Sequence, residues 1–214
     1  DKLLDDVRWK YGTPPSGNAN YAWIQHMIHH LAPNGKIGLV LANGALSTQS
    51  SGEGEIRKRI IEDDLIEGIV AMPTQLFYSV TIPVTLWFIS KNKKQKGKTL
   101  FIVAREMGKM VDRKHRDLPD EDISLLAETF SAFQEGTLKE KKGFSKIATI
   151  EEIAKQDYIL TPGRYVGIKE QEDDGEPFEE KMARLTSELS GLFEKSHELE
   201  AEIRKNLGAI GYEI

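Results

Sequence analysis

The chain has 214 residues, 39% of them hydrophobic and 29% charged, with a net charge of −5 and no cysteine. That length suits one sizeable domain, or one domain with an appendage, and it leaves out a disulfide framework, a cysteine-based zinc site and, with no apolar run near the roughly 18 residues required, a spanning helix. The charge is uneven: residues 1–150 carry 21 Lys/Arg against 18 Asp/Glu and residues 151–214 carry 8 against 16, so a nucleic acid would meet the first part.

The opening DKLLDDVRWK has neither an initiator methionine nor the basic-then-apolar layout of a signal peptide. The chain is therefore read as a piece of something longer, with a cytoplasmic location as the default. YGTPPSGNAN is turn chemistry, and Asn20 is expected to cap a helix over YAWIQHMIHHL. There Tyr21, Ile24, Ile28 and Leu31 fall at helical spacing, and Trp23 and Met27 widen the stripe. KIGLVLA (36–42) reads as a short buried parallel strand. Ser50 and Glu53 have capping-box spacing ahead of a second helix, EGEIRKRIIEDD. Two i,i+4 pairs, Glu53 with Arg57 and Glu55 with Arg59, support that helix. LIEGIVAMP (65–73), VTLWFIS (84–90) and TLFIVA (99–104) follow as strands, with the lysine-rich KNKKQKGK as a solvated hairpin loop. This order fits the second half of a doubly wound α/β sheet ending in an antiparallel hairpin.

MVDRKHRDLPDEDI reads as a polar loop. DISLLAETFSAFQEG reads as a helix with Ile123, Leu126, Phe130 and Phe133 on one face. FSKIATIEEIAKQDY gives an edge strand and a short helix capped by Thr149, and ILTPGRYVGIKE is extended and broken at Pro162–Gly163. The acidic QEDDGEP (171–177) is a linker. From Phe178 onward the apolar steps to Met182, Leu185, Leu189 and Leu192 are 4, 3, 4 and 3, a coiled-coil seam. Ser196 interrupts it and Leu199 and Ile203 resume. So narrow a stripe on a charged helix needs a partner helix to bury it.

Candidate chemistry is sparse. His26, His29 and His30 share a helix face at metal-ligand spacing, but the set has no glutamate and a solvated polar face is the plainer reading, so no metal is assigned. SGEGE has two glycines and then acids, which explains helix initiation better than phosphate binding. Asn43, just past the carboxyl end of strand 36–42, stands where open α/β sheets bind ligands, although Asn-Gly is also an ordinary turn. Phe77 and Tyr78 lie in the loop between the next two strands, at the same edge. Flat rings there suit stacking on a base; because buried aromatics are common, the residues by themselves slightly favour both rings plugging the strand ends.

The stretches GNANYAWIQH, LANG, GEGEIRK and MPTQLFY, the last with Met72 in place of a leucine, resemble the modification (M) subunit of type I restriction–modification systems. MVDRKHR and LTPGRYV fit the same pattern, and the likeness runs over about residues 1–165. These proteins are adenine-N6 DNA methyltransferases using S-adenosylmethionine. The resemblance implies the C-terminal half of a class I S-adenosylmethionine-dependent methyltransferase fold, a mixed sheet ending in an antiparallel hairpin, with a helical C-terminal tail. The implied divisions are 1–104 for the catalytic half-domain, 105–170 for an extension, 171–177 for a linker and 178–214 for an assembly helix. It also implies that the cofactor loop and the Asn-Pro-Pro-aromatic motif precede Asp1. The TPP at 13–15 is not that motif, since Thr13 replaces the asparagine and Ser16 the aromatic. The chain alone is then expected not to methylate DNA. Phe77 or Tyr78 would wall the pocket for the flipped adenine, and the tail would pack on the specificity (S) subunit. A second M subunit and a restriction (R) subunit are further implied partners. The rival reading is a non-catalytic module that assembles a complex through its C-terminal coiled-coil helix.

Overall fold

The computed structural model describes residues 4–78, 81–168 and 177–212. The chain divides into two compact units, Asp1–Glu170 and Gln171–Ile214. In the first, helix α1 (Asn20–His30) leads to strand β1 (Lys36–Ala42), helix α2 (Glu53–Glu62), strands β2 (Ile66–Ala71), β3 (Val84–Ser90) and β4 (Lys98–Val103), a small hairpin of β5 (Lys109–Met110) and β6 (Arg116–Asp117), helix α3 (Asp120–Glu135), strand β7 (Ser145–Thr149) and helix α4 (Ile150–Ala154). The second holds helix α5 (Phe178–Ala209).

The sheet order is β1-β3-β2-β4-β7. Strand β3 is antiparallel to both neighbours, whereas β2 and β4 are parallel, so the sheet is mixed. The antiparallel pair that follows the chain is β2–β3. KNKKQKGK is not a hairpin loop, because β2 lies between β3 and β4 and the segment crosses over its end. It is not wholly solvated either: Lys93 is buried against Asp64, and its ammonium lies 2.5 Å from the carboxylate.

Alternation along the strands sends side chains to two cores. Ile69, Trp87 and Phe101 join one core with Tyr21, Ile24 and Ile28 of α1 and Ile56, Ile60 and Ile61 of α2. Val70, Leu100 and Ile102 join the other with Phe133, Leu126 and Phe130 of α3. Helices thus cover both faces, and Gly68 is required where Phe130 crosses β2: a Cβ there would stand 2.9 Å from its ring. Ile123, expected on the same face, is half exposed, as is Trp23 of α1. Strand β1 also departs from a buried parallel strand. Among the described residues it pairs only with antiparallel β3, and its alternate residues Lys36, Gly38, Val40 and Ala42 are exposed, since no β1 residue joins the second core.

Local signals behaved unevenly. Thr149 caps α4 in a full capping box with Glu152. Ser50 and Glu53 form no box. The left-handed Gly52 (φ 85°) precedes α2 instead, and the Glu53 carboxylate accepts from the Thr48 hydroxyl at 2.9 Å. Asn20 is the first residue of α1 rather than its cap; Asn18 Oδ1 accepts its backbone N–H at 3.0 Å. Of the two helix pairs on α2, Glu55–Arg59 forms at 2.9 Å. Arg57 instead turns inward and donates to the carbonyls of Thr48 (2.6 Å) and Tyr158 (2.7 Å). Pro162–Arg164 is a 3-10 turn, after which Tyr165 stacks on Phe101 with ring centroids 3.9 Å apart.

In the second unit α5 buries none of its residues. Phe178, Met182, Leu185, Leu189, Leu192, Leu199 and Ile203 are all exposed, so nothing within this unit covers its apolar seam among the described residues. Residues 171–176 of the expected linker lie outside the described residues. Among the described residues no helix is long and apolar enough to cross a membrane.

Candidate functional site

Strand register fixes one edge of the sheet. Ala42 pairs with Val84, Ala71 with Thr85 and Val103 with Ala71, so the carboxyl ends of β1, β2 and β4 and the amino end of β3 are level. The segments leaving that edge are the turn at Asn43, the loop after Ala71 and the chain after Val103. Asn43 begins a 3-10 turn, Asn43–Leu46, and its side-chain Oδ1 is buried without a hydrogen-bond partner among the described residues. A buried acceptor left unmet is costly and marks a place where a ligand donor would be favoured.

The loop after β2 begins with Met72 N–H bonded to the Val84 carbonyl at 3.0 Å, and it turns at Gln75, which is left-handed (φ 66°). It carries both predicted rings. Neither plugs a core: Phe77 is 44% exposed and Tyr78 91% exposed. The Tyr78 ring instead rests against the His115 ring, with centroids 4.5 Å apart and planes tilted by 53°.

His115 belongs to the β5–β6 hairpin, which the sequence reading treats as a polar loop. Gln75 holds that hairpin from the loop side: its carbonyl accepts from Arg116 N–H at 2.8 Å, and its side-chain amide donates to the Arg113 carbonyl at 3.4 Å. Arg116 anchors the other side by donating to the carbonyls of Met107 (3.0 Å) and Gly108 (3.1 Å). Asp112 organises the tip, accepting from Lys114 N–H (2.6 Å), His115 N–H (2.9 Å) and His115 Nδ1 (2.6 Å). These bonds, the His115 side chain foremost, hold its carboxyl below the usual carboxylate range. An aspartate whose side chain bonds backbone N–H groups two and three residues on is a turn signal, and Asp112 could have given this hairpin away.

Two of the three histidines of α1 make other contacts. His26 Nδ1 lies 3.0 Å from the Arg8 guanidinium, and His30 Nδ1 lies 2.8 Å from the His26 carbonyl. Burial, then the neighbouring His30 and Arg8, lower the His26 pKa. No group of three or more His, Asp or Glu among the described residues is disposed to hold a metal ion. A cleft of about 340 Å³ that includes Arg8, Lys10, Asp63 and Lys91 opens at the opposite end of the sheet, where β2 begins and β3 ends, away from Asn43 and the rings.

A sequence profile for the family of N-6 DNA methylases matches residues 1–174. Over its whole length the chain is 58% identical to the HindI methylase subunit of a type I restriction enzyme from Haemophilus influenzae, covering 48% of that protein. It is 50% identical to the type I MjaIX methylase subunit of Methanocaldococcus jannaschii, over 97% of this chain and 39% of the relative. The chain therefore spans about half, or less, of the length of these relatives. A type I restriction–modification methyltransferase subunit from Streptococcus thermophilus superposes with a TM-score of 0.69 at 27% identity, covering 77% of this chain and 34% of that one. The EcoKI M protein shares the fold, with a TM-score of 0.56 at 18% identity over 95% and 49% of the two chains. The mixed sheet is accordingly the C-terminal half of a class I S-adenosylmethionine-dependent methyltransferase fold, and the chain belongs to the N-6 DNA methylase family.

Proposed function

We propose that this chain is the part of a site-specific adenine-N6 DNA methyltransferase, the M subunit of a type I restriction–modification enzyme, that walls the pocket for the flipped target base. The observation that carries the reading is the pair of exposed rings, Phe77 and Tyr78, on a loop at the carboxyl edge of the sheet. A base extruded from the duplex needs a flat apolar wall, and stacking on an aromatic is worth roughly 1–3 kcal/mol. Tyr78 presents the more open face, while Phe77 is half-covered. Asn43, with its unmet acceptor at the same edge, is the polar group available to a donor on the ligand. S-adenosylmethionine would supply the methyl group, and no residue of this chain is assigned to hold it. The chain by itself would bind the base incompletely and transfer no methyl group.

The test is to substitute Phe77→Ala and Tyr78→Ala separately in the full-length subunit assembled with its S subunit. At least one is expected to reduce methylation about tenfold or more, the equivalent of losing roughly 1.4 kcal/mol of stacking, and to dim the fluorescence of a flipped 2-aminopurine. Unchanged rates and fluorescence in both variants would reject the stacking role.

The uncovered seam of α5 supports a second element of this reading: the tail packs on helices of the S subunit, in an assembly that also includes DNA, a second M subunit and an R subunit in the cytoplasm. Deleting residues 178–214 is expected to abolish co-purification with S. Retained S binding would sink that assignment.

A further inference from the structure

The β5–β6 hairpin stands beside the rings with a surface that is both basic and apolar. Within residues 109–117, Lys109, Arg113, Lys114 and Arg116 face only two acids, Asp112 and Asp117. Both acids are occupied locally: Asp112 by the tip and His115, and Asp117 by the Leu118 N–H at 3.0 Å. Arg116 turns its Nη1 back onto the carbonyls of Met107 and Gly108. The side chains of Lys109, Arg113 and Lys114 are exposed and make no hydrogen bond or ion pair among the described residues. Between them Met110 and Val111 are also exposed, Val111 by 70%. Exposed cations without acid partners suit an anionic polymer, and apolar side chains among them suit the sugar faces and base edges of a groove.

The hairpin is also fastened to the ring-bearing loop. Two hydrogen bonds join it to Gln75, and His115, held by Asp112, supports the Tyr78 ring from the side. A 91% exposed tyrosine would otherwise be free to swing. We propose that the hairpin 109–117 is a DNA-backbone grip built onto the base pocket, in which Arg113 and Lys114 contact phosphates beside the flipped nucleotide and His115 positions Tyr78. This rests on the reading of the Phe77–Tyr78 loop as the base site, and it adds a contact surface and a positioning residue to it.

Two measurements on the full-length subunit with its S partner test it. The first uses a labelled random-sequence duplex. Each phosphate contact contributes about 0.9 to the slope of log K against log salt concentration, so R113A/K114A is expected to flatten that slope by about 2. An unchanged slope overturns the grip. The second uses unmethylated genomic DNA. His115→Ala is expected to lower kcat about tenfold with little change in KM, because a displaced ring costs rate rather than backbone affinity. His115→Phe, which keeps a flat ring against Tyr78, is expected to recover most of it. Equal rates for wild type and His115→Ala overturn the positioning role. Y78A run alongside separates the two ideas. If it slows methylation while R113A/K114A keeps the wild-type slope, the grip fails and the base pocket stands. If Y78A is silent while the slope flattens, the base pocket loses Tyr78 and the grip stands on DNA alone.

Discussion

Arg57→Ala is expected to destabilise the protein by about 3–5 kcal/mol. The guanidinium is fully buried, and two of its nitrogens donate to the backbone carbonyls of Thr48 and Tyr158 at 2.6 and 2.7 Å. A hydrogen bond from a charged donor is worth roughly 1.5–3 kcal/mol, and truncation strands both carbonyls away from water. The two acceptors are far apart in sequence. One follows β1 and the other lies beyond α4, so Arg57 ties the amino-terminal part of the sheet to the segment that also carries Tyr165 over Phe101. Urea unfolding of Arg57→Ala, Arg57→Met and Arg57→Lys separates the contributions. Methionine restores volume but no donor, so it should lose nearly as much as alanine; lysine should recover one bond. A loss below about 1 kcal/mol for the methionine variant would mean that the carbonyls find water or other donors.

The same arginine shows where the sequence is legible and where it is not. Spacing alone pairs Glu53 with Arg57 on a helix, and on an exposed helix that would hold. Here both residues are buried, and the arginine is taken by carbonyls that arrive from elsewhere in the fold, which local spacing does not encode. Periodicity works where an element is long and one face is dry: α1 buries Tyr21, Ile24 and Ile28 as expected, and the strands lie where the apolar runs predict them. Strand order is another matter. The insertion of β3 between β1 and β2 is a property of the whole sheet, so the lysine-rich run after β3 looks like a hairpin loop although it is a crossover. For the candidate site, turn chemistry and strand ends place Asn43, Phe77 and Tyr78 at one edge. The base-stacking role proposed for the rings comes from the family motifs, since neither spacing nor charge supplies it. The hairpin at 109–117 is hidden because its strands are two residues each, too short for any alternation to register, and its apolar members face outward.

That crossover sets up the second large effect. Lys93 is 3% exposed, and its ammonium lies 2.5 Å from Asp64. Asp64 is left-handed (φ 55°), and its other oxygen accepts from Gly97 N–H at 2.9 Å. Removing one member of a buried pair leaves the other uncompensated, and the cost grows with how deeply the remaining charge is buried. Asp64→Asn, which tolerates the left-handed backbone, strands the fully buried ammonium and is therefore expected to cost about 3 kcal/mol; Lys93→Met leaves a carboxylate that is 23% exposed and still accepts from Gly97 N–H, so it is expected to cost less. Burial is the main influence on the Lys93 pKa and lowers it from 10.5, with the hydrogen bond that Lys93 donates to Asp64 acting the other way. A lysine whose native pKa lies below its unfolded value leaves the unfolded chain holding more protons between the two. The difference in unfolding free energy, wild type minus Lys93→Met, must then rise with pH through that window and level off above 10.5. Buried Tyr11 and Tyr21 and partly buried Tyr165, each pushed up to about 12, act in the opposite sense. Their stabilisation is complete below pH 10 and lost as pH climbs toward 12. Because both proteins share those tyrosines, their contribution cancels in the difference. A difference that stays flat from neutral pH to 10.5 would show that burial does not lower the Lys93 pKa.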